Sequence, residues 1–127
     1  MQSRVPGSLV GVVQQESAEV YVLRVPISSE TGVRLKTIAQ KLAVPLKSVL
    51  LAVHLKVLSL LHGQTDVLTG LVSNARLEIA DGERTLGLFL NTLPFRLHLS
   101  GGTWSELIRE TFTAECELLP YRWYPLI

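Results

Sequence analysis

Helical spacing of hydrophobic residues runs through two consecutive segments in the first half of the chain. Ser28 is a suitable N-cap, and the apolar residues after it fall at i, i+3, i+4 and i+7: Leu35, Ile38, Ala39 and Leu42. This spacing predicts a helix that ends near Val44. Pro45 suits the first turn of a second helix, which we expect to end at about His62 with Gly63 as its stop. Because apolar residues fall on nearly all sides of this second segment, we predict a core helix packed on most of its circumference.

A third helix is predicted near the end of the chain. Thr103 and Glu106 have the spacing of a capping box. In this motif the Thr103 side chain accepts a hydrogen bond from the Glu106 N–H, and the Glu106 carboxylate accepts one from the Thr103 N–H. An apolar stripe follows at helical spacing: Trp104, Leu107, Ile108, Phe112 and Leu119. After Pro120 the sequence is rich in aromatic residues, which indicates that this end packs against other parts of a protein.

Three segments have the composition and alternation of β-strands. Residues 19–27 and Asp66–Asn74 are two of them, and residues 75–84 between the later strands read as an exposed loop. Residues 86–99 are also strand-like, and we expect a short turn or a bulge before an extended segment at 93–99 because the stretch contains Gly87, Asn91 and Pro94. The order strand, helix, helix, strand, strand, helix predicts an α/β protein with a mixed β-sheet and packed helices.

Charge and cysteine content narrow the class of protein. The 127 residues include 12 Lys and Arg against 11 Asp and Glu, a net charge of +1, and these charges are scattered, which argues against nucleic acid as a partner. The single cysteine, Cys116, cannot form an internal disulfide. The longest apolar stretch, residues 46–61, contains two lysines and is shorter than the roughly 18 apolar residues of a membrane span. We therefore expect no membrane contact and a cytoplasmic protein, with residues 1–18 as a leader or boundary segment.

Few residues in the sequence indicate a catalytic, binding or metal site. The three histidines are far apart in the sequence and no metal-ligand spacing occurs, so no metal site is predicted. The segment from Ser73 to Arg76 brings a hydroxyl, an amide and a guanidinium together at the end of a predicted strand. These groups are able to polarise a carbonyl or hold a carboxylate. They are also able to satisfy the loose backbone groups of a strand end, and the residues alone favour this structural interpretation without excluding the other.

Two longer motifs are more specific. Residues 86–96 place Gly87, Phe89, Asn91, Thr92 and Arg96 at the spacing G-x-F-x-N-T-x-x-x-R, which closely resembles a motif of the condensation domains of nonribosomal peptide synthetases. Residues 63–76 resemble the glycine-containing strand of the same family that ends in an arginine. A weaker third similarity lies at residues 120–126. The resemblance covers roughly residue 20 to the end of the chain.

The resemblance implies a fold and an activity. The family joins a thioester-bound donor to the amine of an acceptor, both carried on phosphopantetheine arms of carrier proteins, and folds as two chloramphenicol-acetyltransferase-like lobes with a tunnel between them. Residues 19–127 would form part of the C-terminal lobe. The family's His-His-x-x-x-Asp-Gly motif belongs to the N-terminal lobe, and no adjacent histidine pair occurs in these 127 residues. We therefore expect no catalytic residue here, no peptide-bond formation by this chain alone, and no directly bound cofactor.

The resemblance also assigns roles to individual residues. Four of them are expected to bind substrate along the tunnel: Ser73, Asn74, Asn91 and Thr92. Four others are expected to be structural motif positions: Arg76, Gly87, Phe89 and Arg96. Tyr121 departs from the family pattern, since many members have a histidine there, and this weakens any catalytic role for that end of the chain.

The expected partners are the N-terminal lobe and peptidyl or aminoacyl carrier proteins. Epimerisation and heterocyclisation domains share the fold, and the Asn91-Thr92 match favours condensation over both. Two alternatives remain open from the sequence. One is a noncatalytic module that binds a carrier protein or another chain. The other is a piece of a lobe that self-associates through its apolar surface.

Overall fold

The computed structural model describes residues 22–76, 84 and 86–124. Within them, three helices and two strands follow one another as α1 (Ser29–Leu42), α2 (Leu46–His62), β1 (Asp66–Asn74), β2 (Leu90–His98) and α3 (Trp104–Leu118). A short 3-10 turn at Leu119–Tyr121 comes after α3. The α/β class predicted from the sequence is confirmed. Residues 1–18 and most of the predicted loop at 75–84 lie outside the described residues.

The helix ends are set by the local signals that the sequence carries. The Ser28 hydroxyl accepts a hydrogen bond from the Thr31 N–H at 3.1 Å and caps α1. Helix α2 ends at Gly63, whose φ of 65° lies in the left-handed region that favours glycine. At α3 both halves of the capping box form, between Thr103 and Glu106. The predicted bounds of α1 and α2 and the predicted start of α3 are therefore confirmed to within two residues.

The two strands form one antiparallel pair in the described part of the chain. Their register runs without interruption from Asp66 opposite His98 to Asn74 opposite Leu90. The extended segment begins at Leu90, so the predicted start at residue 93 is wrong, and the backbone bends earlier, at Gly87. Pro94 fits within the strand because its pair with Gly70 is one of the pairs without ladder hydrogen bonds, so its nitrogen faces away from β1.

The core consists of two connected clusters. One lies where the three helices meet and contains Ala39, Val49, Ala52 and Ile108. The other lies between the helices and the sheet and contains Leu55, Val67, Phe95 and Leu99. Odd-numbered residues of both strands face the helices, and even-numbered residues face away from them. This alternation decides which motif residues meet on each face of the sheet.

Two predictions about apolar segments are wrong. Residues 22–27 form no strand, and Val22 and Leu23 are 79% and 87% exposed. A strand needs a partner, and β1 and β2 pair with each other instead; residues 19–21 lie outside the described residues. Helix α2 is also packed on one side only, with exposed apolar residues on the other: Leu50, Val53, Val57, Leu60 and Leu61.

No single helix in the described ranges is long and apolar enough to cross a bilayer. Helices α1 and α2 reach that length and composition only when taken together, and they are bent by 106° at their junction.

Candidate functional site

The two sequence motifs meet at one end of the β1–β2 pair. Ser73 pairs with Asn91, and Val72 pairs with Thr92. Residues separated by 18 and 20 positions in the sequence are therefore direct neighbours across the strands. The antiparallel pairing produces this meeting, because the motifs occupy the last residues of β1 and the first residues of β2.

The predicted substrate-binding residues do not all share a face. Ser73 and Asn91 are half-buried on the face toward the helices, whereas Asn74 and Thr92 are exposed on the other face. Side chains alternate along a strand, so neighbours in the sequence point to opposite sides. The structure therefore brings together Ser73 with Asn91 and separates Asn91 from Thr92.

Asn91 contacts the end of the described chain. Its Nδ2 donates to the carbonyl oxygen of Arg122 at 3.1 Å and to the carbonyl oxygen of Tyr124. These bonds hold the segment after α3 against the start of β2. The side-chain amide of this motif residue thus has a structural task that sequence reasoning did not predict.

Three further motif residues form a contact beside this end of the sheet. The guanidinium carbon of Arg76 lies 4.4 Å from the centroid of the Phe89 ring, within the range of a cation–π interaction. The backbone N–H of Arg76 donates a hydrogen bond to Asn74 Oδ1 at 2.9 Å. Gly87 has φ of 154°, and a Cβ there would lie 3.3 Å from the Phe89 ring. Glycine thus allows the chain to pass close to the ring that supports Arg76.

Arg96 lies toward the other end of β2. Its Nε is 2.9 Å from Asp66 Oδ1 and its Nη2 is 2.5 Å from Oδ2, a two-point ion pair across the strands. The hydrogen bond from Arg96 lowers the pKa of the Asp66 carboxyl, and the same bond raises the pKa of Arg96. Both groups are exposed, so the pair adds little to stability.

A cavity of about 240 Å³ opens where β1 ends between two helices. Ser73 and Asn74 line it from the strand, Ser48 lines it from the first turn of α2, and Glu115 and Phe112 line it from α3. Its walls are mostly apolar, with a few polar groups at one side. This combination is typical of small-molecule sites, although the volume is below the common range for drug-sized ligands.

Glu115 is the charged group of this cavity, and sequence reasoning missed it. The residue is only 6% exposed. Its Oε2 accepts a hydrogen bond from Ser48 Oγ, and Lys47 Nζ lies 2.7 Å from its Oε1. That separation makes an ion pair that compensates the buried charge. Among the described residues, Oε1 has this ion pair and no hydrogen bond.

The position of Glu115 has an electrostatic reason. The N-cap of α2 is Pro45, which makes no side-chain cap, and the first turn of α2 contains no acid. The carboxylate of Glu115 comes from α3 and lies beside this positive helix end, where negative charge is stabilising. One sequence signal was available: an acid near the C-terminus of a helix, as in α3, is unfavourable unless a partner compensates it.

Metal-ligating side chains do not cluster in the described part of the chain. No group of three or more His, Cys, Asp or Glu side chains comes together within these ranges. Cys116 lines the same cavity as Glu115 and is exposed.

Comparisons with known proteins identify the same family as the two sequence motifs. The family model described as Condensation domain matches residues 11–127. The AMB antimetabolite synthetase AmbE of Pseudomonas aeruginosa is 36% identical over 118 residues, which cover 93% of this chain and 6% of that protein. Tyrocidine synthase 2 of Brevibacillus parabrevis is 34% identical over 95 residues, which cover 73% of this chain and 3% of that protein.

The architecture also matches a solved structure. The first condensation domain of the calcium-dependent antibiotic synthetase, in complex with a substrate analogue, has a TM-score of 0.66 and 23% identity, and the match covers 72% of this chain and 21% of that chain. The described elements therefore have the fold of part of a condensation domain. With the family match over residues 11–127, the chain belongs to the condensation domain family. It spans about a fifth of the solved domain and a few per cent of the curated synthetases.

Proposed function

We propose that this chain is part of the C-terminal lobe of a domain that forms peptide bonds between carrier-bound substrates. The observation that carries the proposal is the pairing of Ser73 with Asn91, which joins the two family motifs at one end of the sheet. Residues 19–127 belong to this lobe in the proposal, and residues 1–18 precede it. The N-terminal lobe supplies the histidine motif that these 127 residues do not contain.

In this proposal, peptide-bond formation requires no acid or base from this part of the domain. The acceptor amine attacks the thioester carbonyl, a C–N bond forms, the C–S bond breaks, and the donor carrier leaves as its thiol. A base in the other lobe takes the proton from the amine. The tasks for this chain are binding and orientation, and we assign substrate contact to Ser73 and Asn74 because both line the cavity.

The other motif residues act indirectly in this proposal. Asn91 positions the segment after α3 through its two backbone contacts. Thr92 is on the outer face of the sheet and contributes to the surface that meets the remainder of the domain. Arg76, Phe89 and Gly87 keep the strand end in place, and Arg96 holds the register with Asp66.

The partners and compartment follow from the same proposal. The donor and the acceptor arrive on phosphopantetheine arms of carrier proteins, so the arm is part of the substrate and not a cofactor bound by this chain. The protein acts in the cytoplasm, without nucleic acid or a membrane.

Reconstitution tests this assignment. The chain is combined with a separately produced N-terminal lobe and with loaded donor and acceptor carrier proteins, and the condensed product is measured by mass spectrometry. We expect product only when both lobes are present. Turnover by the chain alone would show that catalysis does not depend on the other lobe. Ser73→Ala should slow product formation, whereas Ser100→Ala, at an exposed position after β2, serves as the matched control.

A noncatalytic carrier-binding module is the second candidate. Like the first candidate, it fits the absence of an adjacent histidine pair from these 127 residues, whose histidines are at positions 54, 62 and 98. Titration of the isolated chain with a carrier protein distinguishes the two. Affinity without the N-terminal lobe, together with no gain of product when that lobe is added, would support the module.

A further inference from the structure

One edge of the β1–β2 pair is open in the described part of the chain. At one end of the ladder, the Ala75 N–H donates to the Phe89 carbonyl at 2.7 Å. Together with the register, this bond places the ladder hydrogen bonds at the odd-numbered residues of β1. The backbone groups of the even-numbered residues therefore point away from β2, and none of them bonds to another described residue. These residues are Asp66, Leu68, Gly70, Val72 and Asn74.

The two edges of the pair differ in what they can accept. On the outer edge of β2 the central even-numbered residue is Pro94, which has no N–H to donate. β1 contains no proline, and no charged residue lies between Asp66 and Asn74. Natural edge strands are commonly protected from further pairing by proline or by charge. β2 therefore has the character of an edge strand, whereas β1 has that of an internal strand.

Both faces of β1 are apolar. Val67 and Leu71 pack into the core cluster between the helices and the sheet. Leu68 and Val72 lie on the opposite face and are 65% and 61% exposed. A strand that is apolar on both faces is typical of the interior of a larger sheet, where neighbouring elements cover each face.

A groove of about 430 Å³ lies between α2 and β1. His54, Leu58 and His62 line it from α2, and residues 66–69 line it from β1. β2 occupies the other side of β1, so we place this groove at the free edge. A strand added there would direct alternate side chains toward Leu58 and the others to the face that carries Leu68.

We propose that the free edge of β1 pairs with a further β-strand from the part of the condensation domain that lies outside these 127 residues. The match to the solved condensation domain covers 21% of that chain, so most of such a domain remains to supply the strand. The pairing uses the N–H and C=O groups of Leu68, Gly70 and Val72. The inference rests on the family and not on the proposed function, because strand pairing requires no turnover.

The position of α2 favours a single strand over a second copy of this chain. Two copies joined antiparallel through this edge would carry their helices on the same face of one sheet. Both α2 helices would then lie over strands about 4.8 Å apart, whereas packed helices need about 8–10 Å between their axes.

Amide hydrogen exchange, followed by NMR, tests the proposal directly. We expect the amides of Leu68, Gly70 and Val72 to exchange fast in this chain alone and slowly when the same sequence lies within an intact condensation domain. The Leu71 amide faces β2 and is the control, slow in both. Fast exchange of the three amides in the intact domain would overturn the proposal. Slow exchange in the chain alone that depends on its concentration would do the same, since a second copy would then occupy the edge.

Two synthetic peptides test the edge on the chain by itself. Both alternate valine and threonine. In the first, N-methyl groups on the threonines leave the valine N–H groups free along one edge; in the second, every internal nitrogen is methylated. We expect the first peptide to slow exchange at Leu68, Gly70 and Val72, and the second to have no effect. Equal effects of the two peptides, or slowing confined to the outer edge of β2, would count against the proposal.

A mirrored pair of substitutions then locates the edge. Val72 and Thr92 are partners in one residue pair, and neither N–H takes part in the β1–β2 ladder. Val72→Pro should weaken binding of the first peptide about tenfold, as expected when one backbone hydrogen bond is lost and its acceptor is left unpaired. Thr92→Pro should leave the affinity unchanged, and equal weakening by both would contradict pairing at β1. The comparison of peptides on the unaltered chain stands even if Val72→Pro does not fold.

Discussion

Asn91 offers the sharpest test of how a family motif residue works in this chain. Its Nδ2 donates to two backbone carbonyls, those of Arg122 and Tyr124, and so holds the segment after α3 to the start of β2. Asn91→Ala removes both bonds without adding bulk. If the role is structural, the free energy of unfolding must fall, and the segment at 119–124 must open more often.

The magnitude follows from the surroundings of the two bonds. The bond to Arg122 is part-buried and contributes about 1 kcal/mol, and the more exposed bond to Tyr124 contributes about half of that. We therefore expect Asn91→Ala to destabilise the chain by about 1.5 kcal/mol, close to a tenfold change in the folding equilibrium. Asn91→Asp should cost more, because it places carboxylate oxygens against two carbonyl oxygens and leaves no donor.

Urea denaturation measures the loss, and hydrogen exchange at residues 119–124 shows where it acts. Thr92→Ala is the matched control, because Thr92 is the next residue in the motif but lies exposed on the other face. Its effect should stay within about 0.5 kcal/mol. Equal stability of the Asn91→Ala and Thr92→Ala chains, with unchanged exchange in the last segment, would refute the structural role of the amide.

Two further predictions concern the sheet and the last helix. Gly70→Ala should destabilise by about 1 kcal/mol in thermal or urea unfolding, because its Cβ would lie 2.9 Å from Thr92 Cγ2. Thr92→Ser should relieve this cost by removing the methyl group, and a Gly70→Ala penalty that persists in the double variant would contradict the clash. The Thr103 backbone N–H lowers the pKa of Glu106, so the capping carboxylate stabilises the folded state above its unfolded pKa and loses that effect as pH falls through the lowered folded pKa. Glu106→Gln should therefore reduce stability at neutral pH and converge with the unaltered chain in acid, as measured by urea denaturation over a pH series; a constant difference across the series would contradict the linkage.

Local signals were sufficient to predict the helices and β1. A cap such as Ser28, a stop such as Gly63 and the Thr103–Glu106 capping box act within one turn of chain, so their effect can be recognised without knowing the tertiary structure. The strand predicted at 19–27 failed over its described residues for the opposite reason. Its residues suit a strand, but pairing depends on a partner elsewhere in space.

The site was predictable only in part. Motif spacing identified Ser73 and Asn91, and the strand pairing then made them neighbours. Which face each residue occupies depends on register, and register is a tertiary property. Glu115 was missed because its meeting with Lys47 and Ser48 depends on how α3 packs against α2, across 67 positions of sequence in the case of Ser48.

Side chains alternate between the two faces of each strand. The number of residues within a strand therefore affects the sheet more than the number of residues between the strands. One residue inserted between Arg76 and Gly87 changes neither the spacing within the two motifs nor the pairs from Asp66–His98 to Asn74–Leu90, so we expect length variants there to keep both motifs working. The same insertion inside β2 would exchange the two faces downstream of it and move Phe95 from the core into solvent. We therefore expect the connection between Arg76 and Gly87 to tolerate changes in length, and each strand to tolerate substitutions but not insertions.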